Sequence, residues 1–227
     1  MSKNLFVTGT GTDVGKTFVS GLIVKKLHED GKKVAYFKAA MSGNVRCEDG
    51  TLLPGDAAAV KAVSGIKQPI ESMCPYVYET AVSPHLASRL EGNPVRLPVV
   101  KAAFARLSKE YDYVVVEGSG GILCPLRFDG ETLQLEDVIR ELALPCVMVA
   151  DAGLGTINDV ALTAFYMKAK HIPLKGILFN HFHAGDRMEE DNLRMCEYLS
   201  GEQVLASVAD GDHTLSISPD ALEALFA

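Results

Sequence analysis

Apolar residues recur along this chain in two rhythms. Short, nearly continuous apolar runs at Leu5–Thr8, Val34–Lys38, Tyr113–Glu117, Cys146–Ala150, Gly176–Asn180 and Val204–Val208 predict strands. The first five are so rich in Val, Ile, Leu, Phe and Tyr that they read as strands covered on both faces. Between them, helical spacing predicts helices over Gly15–Glu29, Asp56–Val63, Pro84–Leu90, Pro98–Glu110, Leu135–Leu142, Ile157–Ala169, Met188–Leu199 and Pro219–Phe226. Gly31 and Gly92 stand just past helical patterns, where left-handed caps belong. Ser83-Pro84 and Ser218-Pro219 read as an N-cap followed by a first-turn proline. Strands alternating with helices predict an α/β fold: a central, mostly parallel sheet of six or seven strands with helices on both faces.

No repeat, low-complexity tract or linker interrupts the pattern, so residues 1–227 read as a single domain. The longest weakly structured stretch is Ala40–Gly55, and a connection this long in a compact domain is often functional. Hydrophobic residues make up 48% and charged residues 22%, as in a globular protein, and the net charge of −7 gives no pull toward nucleic acid or an anionic membrane. The first residues run straight into a strand without a signal-peptide pattern, and no apolar run is long enough to span a bilayer. The expected location is cytoplasmic. The five cysteines are scattered and odd in number, which fits reduced thiols and not a disulfide framework or a metal site. The six histidines form no metal signature, and His181 and His183 read as loop residues.

In open α/β sheets, ligands sit at the carboxyl ends of strands. The first strand ends in Gly9-Thr10-Gly11-Thr12-Asp13-Val14-Gly15-Lys16-Thr17, followed by a helix. This is a phosphate-binding loop, with one residue more between Gly9 and Gly15 than the strict G-x-x-x-x-G-K-[ST] pattern has. Glycines let backbone N–H groups turn toward phosphate oxygens, and the helix N-terminus adds positive potential. Lys16 would meet the β- and γ-phosphates, and the Thr17 hydroxyl would ligate Mg²⁺.

Other strand ends carry polar residues with two open readings each. Lys38 either snorkels to the surface or lies beside the loop if its strand neighbours the first. Asp56 is either a helix N-cap or a ligand. Glu117, after four apolar residues, is either half of a buried ion pair or faces a metal–phosphate centre. Asp151-Ala152-Gly153-Leu154-Gly155-Thr156-Ile157-Asn158 leads into a helix whose free N–H groups could hold a carboxylate, with Thr156 or Asn158 as caps. Asn180 either forms a turn or presents its amide to a base edge.

Together, FVTGTGTDVGKT, FKAAMSG, GDAAA, SPHLAS, YDYVVVEGSGG, GLGTIN and LFN resemble the dethiobiotin synthetases, from Phe6 to Asn180. The resemblance implies a single-domain P-loop NTPase fold. It also implies an ATP-dependent ligase that makes dethiobiotin from 7,8-diaminononanoate and CO₂ through a carbamate and a carbamic–phosphoric anhydride. Carried over by position, Lys16, Lys38 and Thr12 are catalytic. ATP is bound by Asp13, Val14, Gly15, Lys16, Thr17, Phe18, Asp56, Glu117, Gly118, Ser119, Gly120 and Asn180. Mg²⁺ is held by Thr17, Asp56 and Glu117. The diamine meets Ser42 and, through its carboxylate, Gly155, Thr156, Ile157 and Asn158 across a homodimer interface.

Three positions depart from the family pattern: Asp13 where Glu is common, Leu205–Asp210 in place of a Gly-x-Ile-Pro-like adenine segment, and no matching tyrosine after Asn180 for the carboxylate. Two other functions share the phosphate loop. A partitioning or septum-positioning switch carries a second lysine early in the loop, which is missing here, and a cobyrinate-type amidotransferase synthetase needs an ammonia-producing domain.

Overall fold

The computed structural model describes residues 2–227. In chain order the elements are β1 (Lys3–Gly9), α1 (Lys16–Glu29), β2 (Val34–Lys38), β3 (Val45–Arg46), β4 (Leu52–Leu53), α2 (Gly55–Ser64), α3 (Pro84–Leu90), α4 (Leu97–Glu110), β5 (Tyr113–Glu117), β6 (Pro125–Phe128), β7 (Thr132–Gln134), α5 (Leu135–Glu141), β8 (Cys146–Asp151), α6 (Thr156–Ala169), β9 (Leu174–Asn180), α7 (Arg187–Ser200), β10 (Val204–Ser207) and α8 (Pro219–Glu223). The six predicted strands form one sheet in the order β10-β9-β8-β1-β5-β2, and every pairing in it is parallel.

Side-chain alternation divides the core between the two faces of the sheet. Leu5 and Val7 of β1 pack with Val19, Ile23, Val60 and Leu222, the inner positions of α1, α2 and α8. Phe6, between them, packs on the other face with Val100, Phe104, Val138 and Ile139 of α4 and α5. Further along the sheet, Met148 and Phe179 meet Val160, Ala164 and Cys196 of α6 and α7. Fully burying one such large side chain contributes roughly 1.5–3 kcal/mol, more than the ~1 kcal/mol span of strand propensities, so burial decides these strands.

The departures from expectation are local. β1 and β2 are not neighbours, because β5 lies between them. Two short antiparallel pairs, β3–β4 and β6–β7, were not predicted. Their strands have two to four residues, too few for a period-2 pattern, and polar contacts hold them, such as Arg127 to Asp129 and Glu131, both at 2.6 Å. Ser83 occupies the N-cap position of α3 without a capping bond; its hydroxyl lies 3.0 Å from His85 Nδ1 instead. Ser218 does cap α8, accepting from the Ala221 amide, but that helix ends at Glu223, short of the expected Phe226.

β9 starts at Leu174, two residues before the expected Gly176, and contains one extra residue: Cys146 and Met148 of β8 face Leu174 and Ile177. The bulge centres on Gly176, whose φ of 146° suits glycine. A Cβ there would lie 2.6 Å from Leu205 Cγ and 2.9 Å from Gln203 O, both next to or within β10. Gly176→Ala should therefore cost about 2 kcal/mol through strain and displaced packing. Urea denaturation checks this, and wild-type stability would show that β10 yields without cost.

Candidate active site

From Thr10 to Gly15 the chain wraps from β1 into α1, with Asp13 and Gly15 at φ 61° and 87°. Gly15 caps α1 without a side-chain bond, so the first-turn N–H groups remain free to meet an anion. Gly15 is needed for a second reason: a Cβ there would stand 2.0 Å from the Asn180 amide nitrogen. Lys16 is buried and its Nζ donates to the Gly11 carbonyl at 2.6 Å. Burial, and then the nearby charge of Lys38, hold its pKa below the ordinary lysine value.

Lys38 does not reach the loop as a neighbour of β1. It ends β2 in register with Glu117 of β5, and Glu117 stands between it and the loop. Its Nζ lies 2.6 Å from Glu117 Oε1 and 2.6 Å from Asp56 Oδ2. Burial alone would lower its pKa, but the two carboxylates outweigh that and raise it above the ordinary range. The Thr17 hydroxyl donates to Glu117 Oε1 and the Tyr36 hydroxyl to Oε2, both at 2.9 Å. Burial and the Glu117 charge push the Tyr36 pKa well up, which keeps that donor protonated. Asp56 lies in the first turn of α2, whose N-cap is Pro54, so it is a partner of Lys38 and not a cap. Asp56 and Glu117 thus flank one lysine, and Thr17 joins them through Glu117.

These residues line a cleft of about 950 Å³ that also takes in Thr12, Asp13, Phe18, Ser42, Ser119 and Gly120. Ser42 donates to the Val82 carbonyl, and Ser119 to the Ala40 carbonyl at 3.0 Å, so both hydroxyls tie the cleft walls together. Val14 packs against the core beneath the loop. Gly118 is wedged where a Cβ would meet Leu135 at 2.9 Å and Phe6 at 3.0 Å. The sequence alone does not single out the wall residues Met41, Val82, Ser83 and Cys124 for the site, nor Tyr36, buried behind the wall on Glu117. Tyr36 had a signal, since it shares a strand face with Lys38; the others come from connections.

Asn180 is buried at the end of β9, its amide donating to the Val14 carbonyl at 3.3 Å. Gly155, Thr156, Ile157 and Asn158 do not line the cleft, and Leu154 beside them is 91% exposed. Neither Thr156 nor Asn158 caps α6: Gly155 holds the N-cap position without a side-chain bond, and while the Thr156 amide donates to the Gly153 carbonyl at 3.3 Å, those of Ile157 and Asn158 are left free. Asp151 turns away into its own loop, accepting from the Gly153 amide at 2.7 Å and pairing with His181 Nδ1 at 2.6 Å.

Comparison with known proteins decides what this cleft belongs to. A family profile described as an AAA domain matches residues 3–213. The ATP-dependent dethiobiotin synthetase BioD of Brachyspira hyodysenteriae is 42% identical over 227 residues, 100% of both chains. The chain belongs to the ATP-dependent dethiobiotin synthetase family. Dethiobiotin synthetases of Clostridium novyi (42% identical, covering 92% of this chain and 87% of that one) and Clostridium botulinum strain Loch Maree (44%, 88% and 86%) agree. Among solved structures, a ParA family ATPase of Chlorobium tepidum superposes with a TM-score of 0.55 at 14% identity, covering 93% of this chain and 84% of that one. The MinC:MinD complex of Aquifex aeolicus gives 0.57 at 13%, covering 98% and 86%. These two show the shared fold alone. The dethiobiotin synthetase relatives favour neither the positioning switch nor the amidotransferase.

In this member of the dethiobiotin synthetase family, Lys38→Met would leave Glu117 and Asp56 facing one another without their shared cation. The expected loss is about 3 kcal/mol at neutral pH, as for other buried pairs broken from one side. Because the folded state raises the Lys38 pKa, this contribution is complete below the ordinary lysine value and fades as pH climbs past it. Denaturant titrations of wild type and variant from neutral to strongly alkaline pH measure the gap, which should be largest at the neutral end.

Proposed function

We propose that this chain closes the ureido ring of dethiobiotin from 7,8-diaminononanoate, CO₂ and ATP, releasing ADP and phosphate. The observation that carries this reading is the joining, in one cleft, of a phosphate loop bearing Lys16 with the Lys38–Glu117–Asp56 cluster, in a chain of this family. One amine adds CO₂ to form a carbamate and loses a proton. A carbamate oxygen attacks the γ-phosphorus and ADP leaves. The second amine attacks the carbon of the mixed anhydride, and phosphate leaves as the ring closes.

Each group has a task suited to its chemistry. The free amides of α1 and Lys16 take the charge of the transferring phosphoryl group. Lys38 orients the carbamate toward it, and Thr12 and Ser42 hold the carbamate and diamine end. Thr17, Glu117 and Asp56 offer the all-oxygen donor set that Mg²⁺ prefers, and a chain of bonds from Thr17 to Glu117 to Lys38 to Asp56 links them, so the residues fit that ion. When bound, Mg²⁺ would neutralise phosphate charge. Asp13, Val14, Phe18, Gly118, Ser119 and Gly120 shape the ATP site around the loop, and Asn180 meets the base. Met41 and Val82 line the cleft with apolar surface that limits water, which a hydrolysable anhydride requires.

Gly155, Thr156, Ile157 and Asn158 would bind the diamine's carboxylate in a neighbouring subunit, making the active form a two-fold homodimer. Their place outside this chain's own cleft supports that, as do Leu154 just before α6 and Leu162 and Phe165 on it, which are 91%, 61% and 72% exposed. Among the described residues no helix is long and apolar enough to cross a membrane, and the net charge of −7 opposes nucleic acid binding. We place the enzyme in the cytoplasm.

ADP release measured with and without CO₂ and diamine tests the reading directly: turnover should require both, and ADP release indifferent to them would end it. Lys16→Ala should lower turnover about a hundredfold or more while the protein stays folded. Near-normal rates at saturating ATP would refute the role of the loop. Phe165→Glu should shift the protein to a monomer in light scattering and raise the KM for the diamine, with ATP binding retained. A dimer that survives with an unchanged KM would place the interface elsewhere.

A further inference from the structure

Lys38, Glu117 and Asp56 all lie on the β5–β2 side of the phosphate loop. A triphosphate whose reacting end faces them must run its nucleoside the other way, toward β8 and β9. The polar side chain that touches the loop there is Asn180, whose Nδ2 packs over Gly15 and donates to Val14 O. A carbonyl only accepts, so the amide edge facing Val14 is its NH₂ group. The same Nδ2 lies 3.0 Å from His181 Nε2. His181 Nδ1 in turn lies 2.6 Å from the Asp151 carboxylate, which only accepts, and Nε2 faces the Asn180 NH₂, which only donates, so the pair of contacts assigns the proton to Nδ1 and the acceptor role to Nε2. His181 reaches back in this way from a left-handed backbone at φ 55°, a conformation uncommon for a residue with a side chain. Asp210 stands 3.8 Å from the same Nε2.

Both amide hydrogens of Asn180 are therefore engaged. Its Oδ1 makes no hydrogen bond among the described residues and is not sealed from solvent. The geometry points to His181 and Asp151 as positioning residues for base selection: we propose that they lock Asn180 with its carbonyl oxygen outward, so that the site accepts bases carrying an exocyclic amine, adenine or cytosine. It would disfavour those with a keto oxygen at that place, hypoxanthine, guanine or uracil. An unlocked amide could rotate and serve either group; a locked one meets a keto oxygen with another acceptor. This deepens the proposed ATP-dependent function and rests on Asn180 meeting the base.

The test compares kcat/KM for ATP and ITP, which differ at that base position, in the wild type, Asn180→Ala and His181→Phe. Wild type should favour ATP by about tenfold or more, mainly through KM, the scale of one well-placed hydrogen bond. Asn180→Ala should abolish the preference. His181→Phe, which keeps the ring and removes both nitrogens, should bring the ratio several-fold toward unity, with the change in nucleotide KM and not in diamine KM. Should that variant not fold, Asp151→Ala at the half-exposed end of the relay should give the same shift. No ATP preference in wild type, or a preference that survives Asn180→Ala, would overturn the base contact together with the relay. A preference lost in Asn180→Ala but kept in His181→Phe or Asp151→Ala would overturn the relay alone. In either case a dependence of ADP release on CO₂ and diamine would leave the ring-closing reading in place.

Discussion

The Glu117 carboxylate, 1% exposed at the end of an apolar strand, is the constraint around which this cleft is organised. A carboxylate in that position costs several kcal/mol unless it is paired and hydrogen-bonded. Its partners come from separate elements: Lys38 and Tyr36 from β2, and Thr17 from α1. Lys38 brings in a fourth group, Asp56 from α2. Satisfying one buried charge thus fixes the relative positions of two strands and two helices at the end of the sheet where the phosphate loop emerges. In the proposed function the structural requirement and the functional one coincide, because Lys38, Thr17 and Asp56 are among the groups assigned there to phosphoryl transfer.

The two cleft lysines are held in opposite electrostatic conditions. Lys38 has its charge matched by two carboxylates and binds its proton more tightly than usual. Lys16 has only its own loop's carbonyl as a hydrogen-bond partner, and its pKa is depressed by burial and by Lys38. An incoming polyphosphate therefore gains most at Lys16, where nothing anionic must be displaced. At Lys38 two of the three N–H donors are already taken by carboxylates, which leaves one for an anion.

Legibility along the chain followed the reach of the interactions. The six sheet strands and most helices could be read from apolar spacing, because burial on both faces of a parallel sheet leaves a continuous apolar signature. The β3–β4 and β6–β7 pairs could not, since their strands are too short to show a period: β3–β4 is mostly exposed, and β6–β7 buries only Leu126 and Leu133. Lys16 and Thr17 were readable because the loop places them within a few residues of one another. For Glu117 the sequence offers two readings, a buried ion pair or a face toward a metal–phosphate centre. The structure shows the ion pair, and in the proposed function the same carboxylate serves the metal–phosphate centre. Tyr36 was missed although its alternation with Lys38 was visible, because nothing local announces that a tyrosine in an apolar run has a carboxylate as its partner.

By itself the sequence determined the fold class, the phosphate loop and the family, each of which depends on short-range patterns: apolar periodicity, glycine placement and residue order along a motif. Only the tertiary structure decided that β5 separates β1 from β2, so that Lys38 reaches the loop through Glu117 and not beside it. It also decided that Gly15 must lack a side chain because Asn180, 165 residues further on, packs against it. The order of strands in a sheet is set by how the connecting helices cross over and pack. Contacts made between strand ends therefore have no fixed spacing in the chain from which they could have been read.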